Sequence, residues 1–416
     1  MADPAGLTAA GATAEGPSAA ERDAVDPLRG FWDRFVPMDP DLIYLAGHSV
    51  GRAPVATRAA LHAATTTWAT RGMAGWHESW LALPRQVGDA IASEVVQAEP
   101  GEVIMSDSTS VNLYKLAAAA LSQAGARPVI VADAAEFVTD MYLLQGLARS
   151  HRAELRLIES DVDAGPTAEQ VRDACAGRAD LVALSHVSYR SGALADMAAI
   201  TEIAHDAGAL VLWDLCHSAG VVPVPLRNTG ADLAVGCTYK YLNSGPGAPG
   251  FLYVRRDLQS ELLSPIWGWF GHVDQFGMRP VFEPSPGIAR YMTGTPDVLG
   301  CHAVAEGVRL IGEAGVGRIH AKAMALTSYA VELTETWLGR YGVRLASPGD
   351  PGRRGAHVTL HHPAARRIVQ ALAGAGVICD HRHPDRIRFG LAPLHTSFTD
   401  VYEALTRLRG VLNRYG

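Results

Sequence analysis

Lysine is nearly absent from this chain of 416 residues. Arginine and lysine together number 36, and only Lys115, Lys240 and Lys322 are lysines. An enzyme that forms a covalent bond through a primary amine therefore has just these candidate side chains. Lys115 and Lys322 occur in amphipathic patterns and are predicted to lie on helix surfaces. Lys240 differs, because it lies in a glycine-rich, turn-rich segment at residues 236–247.

Cysteine is also scarce, with five residues and no pair at the C-x-x-C spacing. Neither a disulfide framework nor a metal site is predicted, and a reducing, cytoplasmic compartment is expected. Acidic residues outnumber basic ones, and the net charge of -7 argues against nucleic-acid binding through phosphate neutralisation. No apolar run is long enough to cross a bilayer, so no membrane association is expected.

Short apolar runs alternate with amphipathic stretches between residues 102 and 254. This pattern predicts an α/β fold with a mostly parallel sheet sandwiched by helices. A smaller α+β domain is predicted after residue 300, with a strand at 357–361, and the Trp- and Phe-rich residues 258–300 are predicted to form a functional or interfacial loop. The strands predicted for the large sheet are 103–105, 128–132, 154–158, 181–184, 209–213, 233–236 and 251–254.

The chain divides into four predicted parts. Residues 1–25 are rich in alanine, glycine and acidic residues, lack the features of a signal peptide, and are predicted to be a disordered tail. Residues 26–60 are assigned to the small domain, residues 61–299 to a large cofactor-binding domain, and residues 300–416 to the C-terminal part of the small domain.

Polar residues follow several predicted strands, at the edge where open α/β sheets bind ligands. The hydroxyl-rich run 106–110 leads into a helix and is either a phosphate cradle or a plain helix cap. Phe137 either stacks on a planar ligand or belongs to the core. Asp214 ends a buried strand and needs a partner, either an arginine, His217 or a protonated heterocycle, because an isolated buried charge is costly.

Together these residues match the needs of one cofactor. Pyridoxal 5′-phosphate requires a lysine for a Schiff base, an anion beside its ring nitrogen, a phosphate cradle and an aromatic face. The sequence offers one candidate for each requirement, in the same order: Lys240, Asp214, residues 108–110 and Phe137. The sequence therefore predicts a pyridoxal phosphate enzyme.

The chain also resembles the kynureninases, pyridoxal phosphate enzymes of fold type I, over about residues 30–415. The resemblance implies hydrolytic cleavage of the β–γ carbon bond of kynurenine, 3-hydroxykynurenine or another ring-substituted kynurenine. The products would be anthranilate or 3-hydroxyanthranilate and alanine, in tryptophan catabolism and NAD biosynthesis. The stretches that carry the resemblance are DSTSVNL (107–113), WDLCHSAG (213–220), GCTYKYLNSGPGAP (236–249), GWFGH (268–272), Gly294-Thr-Pro296 and IRFGLAPL (387–394).

The resemblance implies a role for each matching residue. Lys240 would hold the cofactor and then shuttle protons, and Asp214 would pair with the ring nitrogen, flanked by His217. Tyr239 would reach the phosphate and act as a catalytic acid. The other implied cofactor-binding residues are Thr109, Ser110, Phe137 and Asp140, with Trp269 and Thr295 contributed by the second subunit of a homodimer. The implied substrate-binding residues are His48, Ser49, His77 and Arg388, the last as the carboxylate clamp.

Three residues depart from the family pattern. His48 stands where asparagine is usual, and either satisfies a local hydrogen bond or indicates an altered aryl pocket. Cys216 replaces a smaller residue and is predicted to be a buried, inert thiol. His395 stands where tyrosine is frequent.

Two alternatives belong to other classes. One is an aminotransferase or cysteine desulfurase of the same fold that acts on a different amino acid. The other is a non-catalytic binding protein that kept the fold, against which the presence of both Lys240 and Asp214 argues.

Overall fold

The structure of the chain is a computed structural model that describes residues 17–414. The strands are β1 (Ile43–Tyr44), β2 (Val103–Met105), β3 (Val129–Asp133), β4 (Glu154–Ile158), β5 (Leu181–Ser185), β6 (Leu210–Asp214), β7 (Leu233–Gly236), β8 (Phe251–Val254), β9 (Arg344–Leu345), β10 (His357–His361), β11 (Val377–Ile378), β12 (Asp380–Arg382) and β13 (Arg386–Gly390). The helices are α1 (Ala19–Ala24), α2 (Val55–Arg71), α3 (Leu83–Glu94), α4 (Thr109–Ser122), α5 (Val138–His151), α6 (Ala168–Cys175), α7 (Met197–Asp206), α8 (Leu226–Thr229), α9 (Val298–Ala314), α10 (Val316–Leu338), α11 (Ala365–Gly374) and α12 (Phe398–Leu412).

A seven-stranded sheet in the order β2-β8-β7-β6-β5-β3-β4 forms the centre of the molecule. Strand β8 runs antiparallel to both of its neighbours, and the other pairs are parallel. Most of these strands are buried on both faces, which explains why they occur in the sequence as continuous apolar runs. The predicted mostly parallel sheet is confirmed.

Helices cover both faces of this sheet. Alternate strand residues face opposite sides, so Val182 and Val211 pack in one core with α3, α6, α7 and α9. Ala183 and Leu212 pack in a second core with α4 and α5. The sheet is therefore sandwiched by helices, as predicted.

A smaller antiparallel sheet, in the order β12-β13-β10-β9, packs with α10, α11 and α12 around a third core. Strand β1 pairs in parallel with β11, which connects the N-terminal region to this smaller unit. Strand β13 carries Arg388, and β12 carries Asp380 and Arg382. Within residues 258–300 the structure has two short 3-10 helices, Trp269–Gly271 and Gly287–Tyr291. No helix between residues 17 and 414 is long and apolar enough to span a membrane.

The end of the predicted disordered tail is instead helical, since α1 lies within it. The side chain of Ser18 caps this helix, and the buried Asp23 accepts hydrogen bonds from the backbone N–H groups of Phe398 and Thr399. The prediction fails here because a contact distant in sequence fixes the helix. Residues 1–16 of the predicted tail lie outside the described residues.

The prediction that Lys115 and Lys322 lie on helix surfaces is wrong. Lys115 is fully buried, and its Nζ donates to Ser106 Oγ at 2.9 Å, Asp107 Oδ2 at 2.7 Å and the Tyr291 carbonyl at 2.7 Å. Lys322 is buried in an ion pair with Asp26, at 2.6 Å. Their helices pack on more than one side, so one polar position does not mark an exposed face. Neither amine is free to react, which leaves Lys240.

Candidate active site

The carboxyl ends of β3, β5, β6 and β7 face a cavity of about 210 Å³ that the smaller sheet closes from the other side. The pairing of β5 with β6 sets Ser185 beside Asp214 at this edge. The structure brings most of the predicted site residues to this one place. The cavity is lined by His48, Ser49, Thr109, Ser110, Phe137, Asp140, Ser185, Val187, Tyr189, Asp214, Cys216, His217, Tyr239, Lys240, Arg382 and Arg388.

Carboxyl groups crowd one end of the cavity. Asp214 ends β6, and its Oδ1 accepts a hydrogen bond from the backbone N–H of Cys216 at 2.6 Å. Asp140 lies in the first turn of α5, where burial and then the charge of Asp214 raise its pKa well above the usual value. Burial also raises the pKa of Glu136 to about 7, although the N–H and hydroxyl of Ser185 donate to its carboxyl. This concentration of acidic groups favours a cationic partner.

Lys240 lies in the turn that follows β7, with its Nζ 3.0 Å from His217 Nε2. Close packing fixes the backbone of this turn from two sides. A Cβ at Gly51 would collide with the Lys240 carbonyl, and a Cβ at Gly307 would collide with the Leu242 carbonyl. Burial, followed by the nearby Lys240 charge, lowers the pKa of His217 well below its usual value, so its imidazole is neutral.

Tyr239 precedes Lys240 and also lines the cavity. Burial raises the pKa of its phenol to about 12. The phenol therefore stays protonated at neutral pH and is able to donate a hydrogen bond.

The N-terminus of α4 forms another wall. Ser108 caps the helix through a hydrogen bond from the N–H of Val111, and the following Thr109 and Ser110 line the cavity. Unpaired N–H groups and hydroxyls at a helix N-terminus favour an anion such as phosphate. Phe137 is 40% exposed beside the cavity, and its ring packs edge-on against Tyr189 at 5.3 Å. It is therefore not a core residue.

Arg388 is buried at the opposite end of the cavity. Its Nε and Nη2 donate to the two oxygens of Asp380 at 2.7 and 2.5 Å. Its Nη1 donates to the Tyr189 carbonyl, and its Nη2 also lies 3.3 Å from Ser49 Oγ. Ser49 in turn donates to Asp380 at 2.6 Å. The predicted carboxylate clamp thus already has an internal carboxylate partner.

Of the departures from the family pattern, His48 lies at this end of the cavity and His395 lies outside it. His48 Nε2 is 3.3 Å from Asp380, and its ring stacks on His357 at 5.3 Å. Burial lowers the pKa of His48 to about 4, so the ring is neutral. His395 packs instead against Phe35, at 5.1 Å between ring centroids. Neither ring nitrogen of His48 has a hydrogen-bond partner among the described residues, so its role as a local hydrogen-bond partner stays a prediction, as does an altered aryl pocket.

Cys216 is buried in the cavity wall, where a hydrogen bond with Cys237 and burial raise the pKa of its thiol well above the usual value. A thiol that stays protonated is a poor nucleophile. This agrees with the prediction of an inert cysteine.

The chain by itself does not bring His77, Trp269 or Thr295 to the cavity. His77 is exposed and packs against Phe276, with ring centroids 5.7 Å apart, and Trp269 contacts the same ring at 5.9 Å. Thr295 lines a separate cavity of about 320 Å³.

Sequence reasoning missed several residues that line the cavity or contact a residue that lines it. For Glu136 and Ser185 the only signal in the sequence is position, because Glu136 follows the buried strand β3 and Ser185 ends the buried strand β5. Asp380 and Arg382 lie on the short strand β12, which has no readable pattern. The missed residues are Glu136, Ser185, Val187, Tyr189, Asp380 and Arg382.

The residues present fit pyridoxal phosphate. A protonated ring nitrogen would neutralise the crowded carboxyl groups around Asp214, and the start of α4 offers a phosphate cradle. Among the described residues that line the cavity, Lys240 offers the only amine, and Phe137 offers a partly exposed aromatic face. Fold and site together define a pyridoxal phosphate enzyme of fold type I.

Comparisons with solved structures agree with this fold. The cysteine desulfurase of Thermococcus onnurineus superposes with a TM-score of 0.81 at 20% identity, covering 92% of this chain and 98% of that one. The cysteine desulfurase CsdA of Escherichia coli gives 0.80 at 17% identity, covering 94% and 99%. At this identity the likeness concerns the fold alone.

Comparisons of sequence are more specific. The chain is 38% identical to the kynureninase of Pseudomonas fluorescens over 400 residues, 94% of each chain. It is 40% identical to that of Burkholderia pseudomallei over 409 residues, 96% of each chain. Residues 319–408 match the model of the kynureninase C-terminal domain. The chain belongs to the kynureninase family.

Proposed function

We propose that this chain hydrolyses the β–γ carbon bond of kynurenine or a ring-substituted kynurenine such as 3-hydroxykynurenine. The products are anthranilate or 3-hydroxyanthranilate and L-alanine, as in tryptophan catabolism and NAD biosynthesis. The main support is that Lys240, Asp214 and Arg388 converge on one cavity in a chain of this family. We place the enzyme in the cytoplasm because it has few cysteines and none at metal or disulfide spacing.

Residues of the cavity would hold the cofactor at four points. Lys240 binds it covalently, Asp214 pairs with its ring nitrogen, and Thr109 and Ser110 bind its phosphate. Phe137 covers the ring, while Asp140 and His217 flank the Asp214 and Lys240 contacts. When bound, pyridoxal phosphate supplies an electron-accepting ring that stabilises negative charge on the substrate.

The remaining residues orient the substrate and move protons. Arg388 binds the α-carboxylate, which sets the α-carbon near Lys240, and Lys240 moves the α-proton. Tyr239 is a protonated phenol at neutral pH, so it serves as the acid that donates a proton during cleavage. Ser49 and His48 lie on the substrate side of the cavity.

We infer that the enzyme is a homodimer with shared sites. His77 and Trp269 form one aromatic cluster with Phe276, and Trp267, two residues before Trp269 in the sequence, is 62% exposed. An exposed aromatic surface of this kind favours a protein interface. Trp269 and Thr295 would complete the partner's phosphate site, and His77 would reach the partner's substrate.

The test is direct. Purified protein with pyridoxal phosphate is incubated separately with kynurenine and 3-hydroxykynurenine, and the aromatic product and alanine are measured by mass spectrometry. We expect both products in equal amounts from at least one substrate, and the ratio of rates identifies the preferred ring. Release of a keto acid instead would favour an aminotransferase, and no product from either substrate would refute the proposal.

Lys240→Ala is the matched control. It should abolish turnover and the borohydride-stable link between cofactor and protein, because the other two lysines are buried in structural contacts. A cofactor still trapped covalently in this variant would show that the site is assigned wrongly.

A further inference from the structure

Arg388 has few donors left for a substrate. A guanidinium has five N–H groups, and those of Arg388 reach both oxygens of Asp380, the Tyr189 carbonyl and Ser49 Oγ. One N–H on Nη1 remains without a protein partner in these contacts. A carboxylate that enters the cavity cannot form a two-bond contact with Arg388 unless Asp380 moves away.

Arg382 lines the same cavity from the neighbouring strand β12. Its Nη2 lies 3.3 Å from Asp380 Oδ2, and its Nη1 donates to the carbonyl of His381 at 3.3 Å. The Arg382 side chain is 37% exposed, compared with 1% for Arg388. Arg382 thus presents more free donors to the cavity than Arg388, which has one left.

The charges at this end of the cavity are unbalanced. Asp380 carries one negative charge, because its contacts with Arg388 and His48 hold its pKa well below the usual range. Two guanidiniums face it, and His48 is neutral. Burial and the charge of Arg388 lower the pKa of Arg382, as expected where positive charge is in excess. One added monocarboxylate would balance the net positive charge of Asp380 and the two guanidiniums.

We propose that Arg382 is a second ligand of the substrate α-carboxylate, which it binds together with the free edge of Arg388. Asp380 is a positioning residue that holds the two guanidiniums side by side. The inference rests on the proposed function only in that the substrate is an α-amino acid. Arg382 would then make the enzyme select substrates with a free carboxylate over substrates with an uncharged group at that position.

The test compares ligands with and without the carboxylate. The holoenzyme and its Arg382→Gln, Arg382→Lys and Arg366→Gln variants are assayed with kynurenine and with kynurenine carboxamide. Arg366→Gln is the matched control, because it removes the same charge from an exposed position on α11. Thermal unfolding of each variant establishes that it is folded.

Arg382→Gln should lower kcat/KM for kynurenine about 10- to 100-fold, mainly through KM, as expected for a hydrogen bond to a charged group. For the carboxamide it should change kcat/KM less than about threefold, and Arg382→Lys should recover part of the loss. Equal losses with both ligands would mean that Arg382 acts only through the structure, and no loss with kynurenine would also overturn the proposal.

Binding of L-alanine and L-alaninamide, measured by calorimetry, separates this inference from the proposed function. These ligands need no carbon–carbon cleavage. If kynurenine is not hydrolysed but Arg382→Gln still weakens L-alanine binding selectively, the carboxylate site stands and the proposed reaction fails. If the wild type hydrolyses kynurenine and Arg382→Gln leaves the ratio of the two affinities unchanged, the reaction stands and the carboxylate site fails.

Discussion

Glu136 shows how burial changes a single residue of this site. Its side chain is half-buried and its carboxyl accepts two hydrogen bonds from Ser185, yet its pKa rises to about 7. The cause is desolvation, which disfavours the charged form more than these hydrogen bonds favour it. Near neutral pH the group therefore exists in both protonation states beside Asp140 and Asp214.

Glu136→Gln should stabilise the cofactor-free protein above about pH 7 but not near pH 4. The pKa of Glu136 is raised in the folded state from 4.5 to about 7. The wild type therefore loses stability as pH rises from 4.5 to about 7, and the variant does not. The difference in free energy of unfolding should reach at most about 3 kcal/mol, measured by urea unfolding across this range.

The control is Glu159→Gln, which removes a carboxyl from an exposed position near the same sheet edge. Above about pH 7, Glu136→Gln should raise the free energy of unfolding more than Glu159→Gln does. An increase of the same size at every pH would contradict the raised pKa of Glu136.

At the scale of elements, one buried carboxylate of α1 makes three hydrogen bonds to the start of α12. Asp23 is buried and accepts from the N–H groups of Phe398 and Thr399 and from the Thr399 hydroxyl at 2.6 Å. These N–H groups lie at the start of α12, where helix donors lack partners within the helix.

Asp23→Ala should lower the free energy of unfolding by about 1–2 kcal/mol, because it leaves these donors unpaired. Chemical unfolding followed by circular dichroism measures the change. Asp33→Ala, at an exposed position, is the control and should have little effect. Equal stability of the two variants would show that the contact contributes nothing.

Helix α9 supports the turn that carries Lys240. Gly307 on α9 lies against the Leu242 carbonyl with no space for a side chain. Gly307→Ala should displace this turn, lower stability by about 1–3 kcal/mol and reduce the fraction of protein that traps cofactor with borohydride. Gly410→Ala, on α12 with open space around it, should preserve both properties. Normal trapping in Gly307→Ala would mean that the turn adjusts freely.

At the scale of the whole molecule, the proposed homodimer predicts complementation between subunits. Lys240→Ala and Trp269→Ala chains are each expected to be nearly inactive. Co-expressed in equal amounts, they should recover about a quarter of wild-type activity, because half of the dimers are mixed and each has one complete site. Sedimentation establishes the dimer, and no recovery from a confirmed mixed dimer would place Trp269 in its own subunit's site.

The sequence alone was sufficient for most of the central sheet. The predicted bounds of β2, β4, β7 and β8 match the structure, and so do those of β10 in the smaller sheet. Strands β2, β7 and β8 are fully buried runs of apolar residues, which give a clear local signal, whereas β4 lies at the edge of the sheet and is only partly buried. Strands β1, β11 and β12 were missed because two or three residues show no period, and these strands, unlike β2, lie outside the regular alternation of apolar runs and helices between residues 102 and 254.

The sequence by itself determined the cofactor chemistry. Because the chain has only three lysines, Lys240 was the one candidate outside an amphipathic pattern. Asp214, Thr109 and Phe137 were identified by their residue types and by their positions after predicted strands. Only the tertiary structure decided which charges meet. It buried Lys115 and Lys322 in ion pairs, and it set Asp380 and Arg382 beside Arg388 on strands β12 and β13. Such contacts join residues through packing of whole elements, and local residue patterns do not encode that packing.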